Sequence, residues 1–344
     1  MPTSIGMYLK RLLYKIRRIL LKSTTMVQLQ AILMKTPLLY QFSERLPSLC
    51  LLIFSFYLGC GIYSIFLDLL ILLFTLWTIA VLLYNAQDKL LYFPCEPETS
   101  RVYVPRISKI SDCESITITS SDGTLIHAFL LKHSHPIERP TVIFYHGNAG
   151  NIGYRMENGF HLMSECGVNV LLMEYRGYGL SGGEISEQGI YSDALAAVKY
   201  VKNRVDLDSS KVVIMGRSLG GAIAIETATH PECSDIFALI LENTFTSLPD
   251  IAKRVLNISL IKMVPEWCYK NRYKSLDKIR RVRQPTLFLS GRSDTLIPPT
   301  HMDSLYLASG STKKEMSSFP DGDHNSTWTE PGYFFAVKSF LQSL

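Results

Sequence analysis

Hydrophobic residues are distributed in two different ways along this chain. Residues 49–84 form an almost unbroken apolar block, in which Asp68 is the single strongly hydrophilic residue. From about residue 113 onward, short apolar runs alternate instead with longer mixed stretches. The first pattern is typical of a membrane span, and the second is typical of β strands that alternate with helices.

The second half of the apolar block has the length of one membrane span. Residues 65–84 supply about the 20 apolar residues that cross a hydrocarbon core. We therefore predict a hydrophobic membrane anchor over residues 46–85, with its main span at about 65–84. Residues 46–67 leave room for a second crossing, a re-entrant piece or an interfacial extension.

Basic residues are concentrated in the segment 1–45 that precedes the anchor. This segment contains eight Lys and Arg against the single Glu44, a net charge of +7, whereas the remaining residues sum to −2. Because the basic charge lies outside the globular part, a nucleic-acid-binding surface on that part is disfavoured. Apolar residues at helical spacing within 9–20, among lysines and arginines, favour a helix on an anionic membrane surface.

The number of crossings decides on which side the C-terminal domain lies. With one span, the positive-inside rule keeps the N-terminus cytoplasmic and gives a type II protein with an extracytoplasmic domain. With two spans, the domain returns to the cytoplasm. Since no acidic residue precedes Glu44, a mitochondrial targeting segment stays a third alternative.

The pattern after the anchor predicts one α/β domain over residues 90–344. Residues 116–131 indicate a β hairpin around the turn pair Asp122-Gly123. Further apolar runs lie at 141–145, 169–173, 211–215, 237–241 and 285–290. Because the stretches between them are long enough for helices, we expect a mostly parallel, doubly wound sheet.

The seven cysteines form no C-x-x-C pair and no Cys/His cluster at zinc-finger spacing. Five of them follow the apolar block, an odd number that gives no clear disulfide framework. We therefore predict neither a metal site nor an organic cofactor.

The segment Gly216-Arg217-Ser218-Leu219-Gly220 has the form of a nucleophile elbow. It follows the apolar run 212–215 and precedes a run that favours a helix. In this strand, turn and helix context, flanking glycines let a serine occupy a strained turn with its hydroxyl exposed. Ser218 is therefore the candidate nucleophile.

A serine hydroxyl becomes a good nucleophile when a base removes its proton and a carboxylate orients that base. His324 lies on a late loop before the final amphipathic helix, and Asp294 follows the strand predicted at 285–290. The chain order Ser218, Asp294, His324 is that of α/β-hydrolases. These residues are the predicted catalytic triad.

Other carboxylates near these positions stay open as alternatives. Glu242 follows the strand predicted at 237–241, where some hydrolases place the acid, and Asp294 is also suited to capping the next helix. Asp321 and Asp323 are close to His324 along the chain, and we expect them to shape its loop.

Stabilising a tetrahedral intermediate requires backbone N–H groups held at fixed positions. Leu219, directly after the nucleophile, is the first candidate donor. The loop 146–151, which follows the strand at 141–145, is expected to supply the second donor at Asn148, with Ala149 as the near alternative. No Gly-Lys-Ser/Thr follows this glycine-containing loop, so a phosphate loop is disfavoured.

Several motifs occur together between about Leu83 and the C-terminus. They are Tyr92-Phe93-Pro94, His146 to Gly153, Glu174 to Gly179, Gly216 to Gly221, Glu242 to Phe245, Trp267 to Asn271, Ser293-Asp294 and His324-Asn325. In these motifs the chain resembles the family of alpha/beta-hydrolase domain-containing protein 13, which are membrane-anchored serine hydrolases. The resemblance implies an α/β-hydrolase fold, the triad Ser218, Asp294 and His324, and one N-terminal anchor.

The long connection 247–283 predicts a small cap that forms an acyl-chain pocket. Asn257 fits an N-glycosylation acceptor if the domain is lumenal. We expect a serine hydrolase that cleaves esters or thioesters of lipid-like or acylated substrates. Related membrane-associated hydrolases remove palmitoyl groups from proteins, so the resemblance extends the expected substrates to S-acyl cysteines. The alternatives are a non-catalytic scaffold that binds a lipid or a partner, an acyltransferase and a peptidase.

Overall fold

The computed structural model describes residues 61–105, 113–255 and 264–344, together with residues 45, 46 and 48. The basic segment up to residue 44, the first apolar stretch at 49–60 and Asn257 lie outside the described residues. The chain divides into two units, Met1–Val81 and Leu82–Leu344.

A long apolar helix, α1, runs from Gly61 to Leu91 and contains the residues predicted as the main span. Its part from Leu67 to Leu91 is long and apolar enough to cross a membrane, and it is the one helix of that kind in the described ranges. The hydroxyls of Thr75 and Thr78 donate to main-chain carbonyls one turn earlier, at 2.7 and 2.8 Å. Such bonds satisfy hydroxyl groups within the helix itself.

The second unit alternates strands with helices. In the described part of this unit the strands are β1 (Cys113–Thr119), β2 (Leu125–Leu131), β3 (Thr141–Tyr145), β4 (Asn169–Met173), β5 (Val212–Arg217), β6 (Ala238–Glu242), β7 (Thr286–Gly291) and β8 (Lys314–Phe319). The helices are α2 (Met156–Cys166), α3 (Glu187–Lys202), α4 (Leu219–Thr229), α5 (Leu248–Val255), α6 (Ser275–Ile279), α7 (Thr300–Ala308) and α8 (Tyr333–Gln342).

The strands form one sheet in the order β1-β2-β4-β3-β5-β6-β7-β8. β1 and β2 pair as the antiparallel hairpin expected from the Asp122-Gly123 turn, where Gly123 has a φ of 83°. β2 also pairs antiparallel with β4, and all remaining neighbours are parallel. The predicted mostly parallel sheet is confirmed, and β8 is an addition that the polar sequence of residues 314–319 did not indicate.

Helices cover both faces of this sheet. One hydrophobic core lies between the sheet and α3, α4, α6 and α7, and the other lies between the sheet and α2 and α8. Every residue of β3 to β7 is buried. Central parallel strands that are covered on both faces read as continuous apolar runs, which explains why the sequence located these five strands to within one or two residues.

The connection 247–283 contains α5, a 3₁₀ turn at Glu266–Cys268, and α6. Residues 256–263 of this connection lie outside the described residues. The side chain of Trp267 is 74% exposed, so this part of the connection presents an aromatic ring to solvent. A cap at this position stays a prediction.

Candidate active site

Ser218 lies at the junction between β5 and α4, in a backbone conformation that L residues rarely adopt. Its φ is 56° and its ψ is −120°. The neighbouring glycines make this turn sterically possible, because a Cβ on Gly216 would overlap the carbonyl of Gly220 and one on Gly220 would overlap the carbonyl of Tyr145. The strand, sharp turn and helix predicted from the sequence are therefore present, and both glycines are required for packing.

Hydrogen bonds from the end of β6 hold the strained turn in place. The N–H of Ser218 donates to the carbonyl of Glu242 at 2.9 Å, and the hydroxyl of Thr244 donates to the carbonyl of Ser218 at 2.7 Å. A strained residue persists when its surroundings fix it in this way.

The structure brings the three predicted triad side chains together. His324 Nε2 lies 3.0 Å from Ser218 Oγ, and His324 Nδ1 lies 2.7 Å from Asp294 Oδ2. The other carboxylate oxygen of Asp294 accepts the N–H groups of Leu296 and Ile297 at 2.9 and 2.8 Å. All three triad side chains are buried, with Ser218 6% exposed. With a proton on Nδ1, this is the geometry of a nucleophile, a general base and an orienting acid.

The alternative acid, Glu242, has a different position. It is fully buried, and its Oε2 accepts the hydroxyl of Tyr333 at 2.6 Å. Burial raises the pKa of its carboxyl group, an effect that the charge of Arg217 opposes. Asp323 accepts the N–H groups of Asn325 and Ser326, so it shapes the histidine loop as expected.

Sequence reasoning assigned no individual role to Asn243, which directly follows β6. Its φ is 43°, and its Oδ1 accepts the N–H of Gly291 at 2.8 Å. Its Nδ2 donates to the hydroxyl of Thr327 at 2.9 Å and to the carbonyl of Asp323 at 3.1 Å. Asn243 thus joins the ends of β6 and β7 to the histidine loop; an asparagine directly after a buried strand was the available signal.

The loop 146–151, predicted to carry an oxyanion donor, runs beside the nucleophile. A Cβ placed on Gly147 would lie 3.7 Å from the Cβ of Ser218. His146 at the start of the loop bonds through Nε2 to Glu174 Oε1 at 2.9 Å, and its carbonyl accepts the hydroxyl of Tyr175 at 2.6 Å. Asn148 follows Gly147 in this loop. The start of the loop is thus fixed by the fully buried side chains of Glu174 and Tyr175.

Leu219, the other predicted donor, is the first residue of α4. N–H groups in the first turn of a helix have no intrahelical acceptor. Within the described residues, neither the N–H of Leu219 nor that of Asn148 donates to another protein group. Among these residues, both N–H groups therefore lack a protein acceptor, as oxyanion donors require.

The buried Arg217, next to the nucleophile in sequence, and the half-buried Arg155 lie close enough for their charges to interact. Arg217 is 4% exposed, and its Nη1 lies 3.5 Å from the carbonyl of Asn325 in the histidine loop. Burial, together with the charge of Arg217, lowers the pKa of Arg155 to about 10. A pKa of about 10 leaves Arg155 protonated at neutral pH.

No group of three or more His, Cys, Asp or Glu side chains in the described ranges is arranged to hold a metal ion.

A groove of about 660 Å³ lies between α5 and α7, where Asp250, Lys253, Arg254 and His301 contribute to its lining. An acyl-chain pocket in the connection 247–283 stays a prediction.

Comparison with known proteins places the chain in a family. Residues 136–280 match the family model described as serine aminopeptidase, S33. The alpha/beta hydrolase domain-containing protein WAV2 of Arabidopsis thaliana is 37% identical over 280 residues, which cover 76% of this chain and 89% of that protein. An uncharacterized membrane protein of Saccharomyces cerevisiae is 33% identical over 274 residues, which cover 78% of this chain and 94% of that protein.

The solved structures give the same fold. The esterase Pf2001 of Pyrococcus furiosus superposes with a TM-score of 0.59 at 20% identity, covering 74% of this chain and 97% of the esterase. The α/β-hydrolase fold expected from the sequence is therefore confirmed. With relatives above 30% identity over more than two thirds of its length, the chain belongs to the α/β-hydrolase family, in the group of alpha/beta-hydrolase domain-containing proteins that its motifs resemble.

Proposed function

We propose that this protein is a membrane-anchored serine hydrolase that cleaves carboxylic ester or thioester bonds of lipid-like acyl substrates. The observation that carries the proposal is the hydrogen-bonded series Ser218 Oγ, His324 and Asp294, with separations of 3.0 and 2.7 Å. Membership of a hydrolase family and the strained turn at Ser218 support the same conclusion.

In the first half of the reaction, Ser218 Oγ attacks the acyl carbonyl while His324 Nε2 takes the hydroxyl proton. Asp294 holds the proton on Nδ1 and stabilises the imidazolium that forms. The N–H groups of Leu219 and Asn148 donate to the oxyanion. Collapse of the intermediate breaks the bond to the leaving alcohol or thiol, which takes the proton from His324.

In the second half, water attacks the acyl-enzyme at Ser218. His324 removes one proton from this water and returns it to Ser218 Oγ, which releases the carboxylic acid. Each cycle consumes one water molecule and needs neither metal nor organic cofactor. A thioester fits this chemistry well because a thiol is a good leaving group, so palmitoyl groups on protein cysteines are included in the substrate class where those cysteines lie on the same side of the membrane as the domain.

The anchor supports the preference for lipid-like substrates, since it holds the catalytic domain near the bilayer. Gln87 and Asp88 of α1 make polar contacts with residues 268–271 of the domain. This supports a hydrocarbon span that ends before Gln87, at about Tyr84, as the hydrophobic pattern predicted.

We place the N-terminus in the cytoplasm and the domain on the extracytoplasmic side. Protease protection of sealed microsomes, with a tag at each end, tests this topology.

Turnover of purified full-length protein in lipid nanodiscs tests the activity. The substrates are acyl p-nitrophenyl esters of increasing chain length, an S-palmitoyl peptide and a peptide amide, and Ser218→Ala is the control. We expect Ser218-dependent cleavage of esters and thioesters. Cleavage of the amide alone would make the protein a peptidase, acyl transfer to added alcohol would make it an acyltransferase, and lipid binding without turnover would make it a scaffold.

A further inference from the structure

The last turn of α1 contacts the loop that carries the proposed oxyanion donor. Asn148 Nδ2 donates to the carbonyl of Leu91, the final helical residue, at 2.9 Å. Carbonyls in the last turn of a helix have no intrahelical partner, so this bond satisfies both groups. The end of the helix is therefore attached directly to the residue that follows Gly147.

The backbone of Asn148 is held from a second side. Its carbonyl accepts the N–H of Phe93 at 2.9 Å and the hydroxyl of Tyr178 at 2.8 Å. The carbonyl of Phe93 in turn accepts the N–H of Gly150 at 3.2 Å. The carboxamide donor and the carbonyl of Asn148 are thus both bonded, while its N–H has no acceptor among the described residues.

The helix end is itself fixed to the domain by two polar side chains. Gln87 donates to the carbonyl of Cys268 and accepts the N–H of Lys270, both at 2.8 Å. Asp88 accepts Asn271 Nδ2 at 2.6 Å and forms an ion pair with Lys270. Side-chain bonds in both directions fix the rotation of this turn as well as its position.

A buried series of hydrogen bonds continues this attachment beyond the helix. The hydroxyl of Tyr92 lies 2.8 Å from the hydroxyl of Tyr273 and 3.1 Å from Asn271 Oδ1. Tyr92 is 4% exposed and Tyr273 is fully buried. Since Asn271 also bonds Asp88, the residues on both sides of Leu91 are held by the same segment.

We infer that the segment Gln87–Phe93, the end of α1 and its continuation, positions the active site by fixing the backbone of Asn148. This inference rests on the proposed function, because Asn148 matters there as an oxyanion donor. Such donors work when they are held in place before the reaction, and a displacement of about 1 Å can cost about 100-fold in rate. Residues of the anchor helix thereby act on catalysis through Asn148 without touching substrate.

The inference predicts a kinetic effect that general destabilisation does not produce. Asn148→Ala removes the bond to Leu91 and keeps the backbone N–H. We expect its kcat to fall about 10- to 100-fold while KM changes less than about threefold, since the oxyanion forms after substrate binding. Tyr92→Phe, which keeps the ring in the core, should lower kcat in the same direction by a smaller factor.

A matched control is available at the amino ends of the parallel strands, opposite to the end where Ser218 lies. Asn169, the first residue of β4, also donates from Nδ2 to a main-chain carbonyl, that of Pro136, at 2.8 Å. Asn169→Ala should lower the melting temperature and leave kcat unchanged. All variants are measured as full-length protein in nanodiscs at matched folded amounts, and affinity for an acyl trifluoromethyl ketone reports binding of the tetrahedral adduct.

We expect Asn148→Ala to weaken trifluoromethyl ketone binding by the same factor as it lowers kcat/KM. If the wild-type protein turns over substrate and both Asn148→Ala and Tyr92→Phe keep its kcat, this inference is overturned while the proposed function stands. A rise in KM with an unchanged kcat would also overturn the inference, because that pattern indicates a substrate contact. Absence of Ser218-dependent turnover in the wild type would instead overturn the proposed function, and the inference with it.

Discussion

Replacing Asp294 by Asn tests the proposed catalytic roles with a change of one atom. In the structure, Asp294 Oδ1 accepts two backbone N–H groups and Oδ2 lies 2.7 Å from His324 Nδ1. An asparagine can satisfy the two N–H groups only with its carbonyl oxygen. Its NH₂ group must then face Nδ1 of His324.

This orientation determines the expected effect on the rate. The NH₂ donor requires His324 Nδ1 to be an acceptor, which leaves the ring proton on Nε2, where Ser218 must deliver its own proton. The reverse orientation would set the NH₂ group against two N–H donors and lose two hydrogen bonds, at about 1–3 kcal/mol for each unsatisfied group. We therefore predict the wrong tautomer and a fall in kcat of about 10⁴-fold, or about 5.4 kcal/mol in activation free energy.

The assay compares Asp294→Asn with Asp323→Asn. Asp323 also accepts two backbone N–H groups through one oxygen, but its carboxylate has no bond to the imidazole ring. Turnover of a short-chain acyl p-nitrophenyl ester is measured from pH 5 to 9, with circular dichroism to confirm that each variant is folded. Asp323→Asn should stay within about tenfold of the wild type, because its amide oxygen still accepts both bonds.

A folded Asp294→Asn protein that keeps more than a tenth of the wild-type kcat would contradict this prediction. That result would mean that Asp294 does not set the tautomer of His324. Equal losses in Asp294→Asn and Asp323→Asn would also refute it, because they would trace the effect to the shape of the loops.

Two further predictions concern the elbow and the buried carboxylate behind it. Gly220→Ala places a Cβ against the carbonyl of Tyr145 and should lower the free energy of unfolding by more than about 3 kcal/mol. In the control Gly123→Ala the new Cβ meets no atom within 4 Å, so we expect a cost of only about 1 kcal/mol, which arises from the positive φ. Chemical denaturation measures both free energies. Because burial raises the pKa of Glu242 above its ordinary 4.5, the folded state holds this proton more tightly, and stability present below pH 4.5 is lost as pH rises through the folded pKa. Glu242→Gln, which can still accept the Tyr333 hydroxyl, should therefore lose less stability than the wild type between pH 4.5 and 8, as melting temperatures would show.

The strand, turn and helix of the elbow could be predicted because local sequence largely determines them. Gly216 is needed because a Cβ there would overlap the carbonyl of Gly220 within the same five residues, and the strand before it is uniformly apolar. Asp294 and His324 were found by their order after Ser218 and by the loops that hold them. The structure places Asp294, rather than Glu242, against the histidine ring, because β6 directs Glu242 into the core toward Tyr333.

The supports of the site could not be read in the same way. Asp88 and Asn271 are 183 residues apart, and the motif Trp267 to Asn271 does not indicate Asp88 as a partner. Their contact follows from where the sheet brings the end of the 247–283 connection, which is a property of the whole fold. β8 was missed for a related reason: an edge strand needs one partner strand and less apolar surface, so residues 314–319 show no apolar run.

Active-site labelling of the full-length protein is the most direct test of an activated Ser218. A fluorophosphonate probe reacts with a serine that its own site has activated, and peptide mapping by mass spectrometry locates the adduct. We expect one adduct, on Ser218, that is absent in a folded Ser218→Ala variant. A folded wild-type protein that takes up no probe, or an adduct that persists in Ser218→Ala, would contradict this expectation.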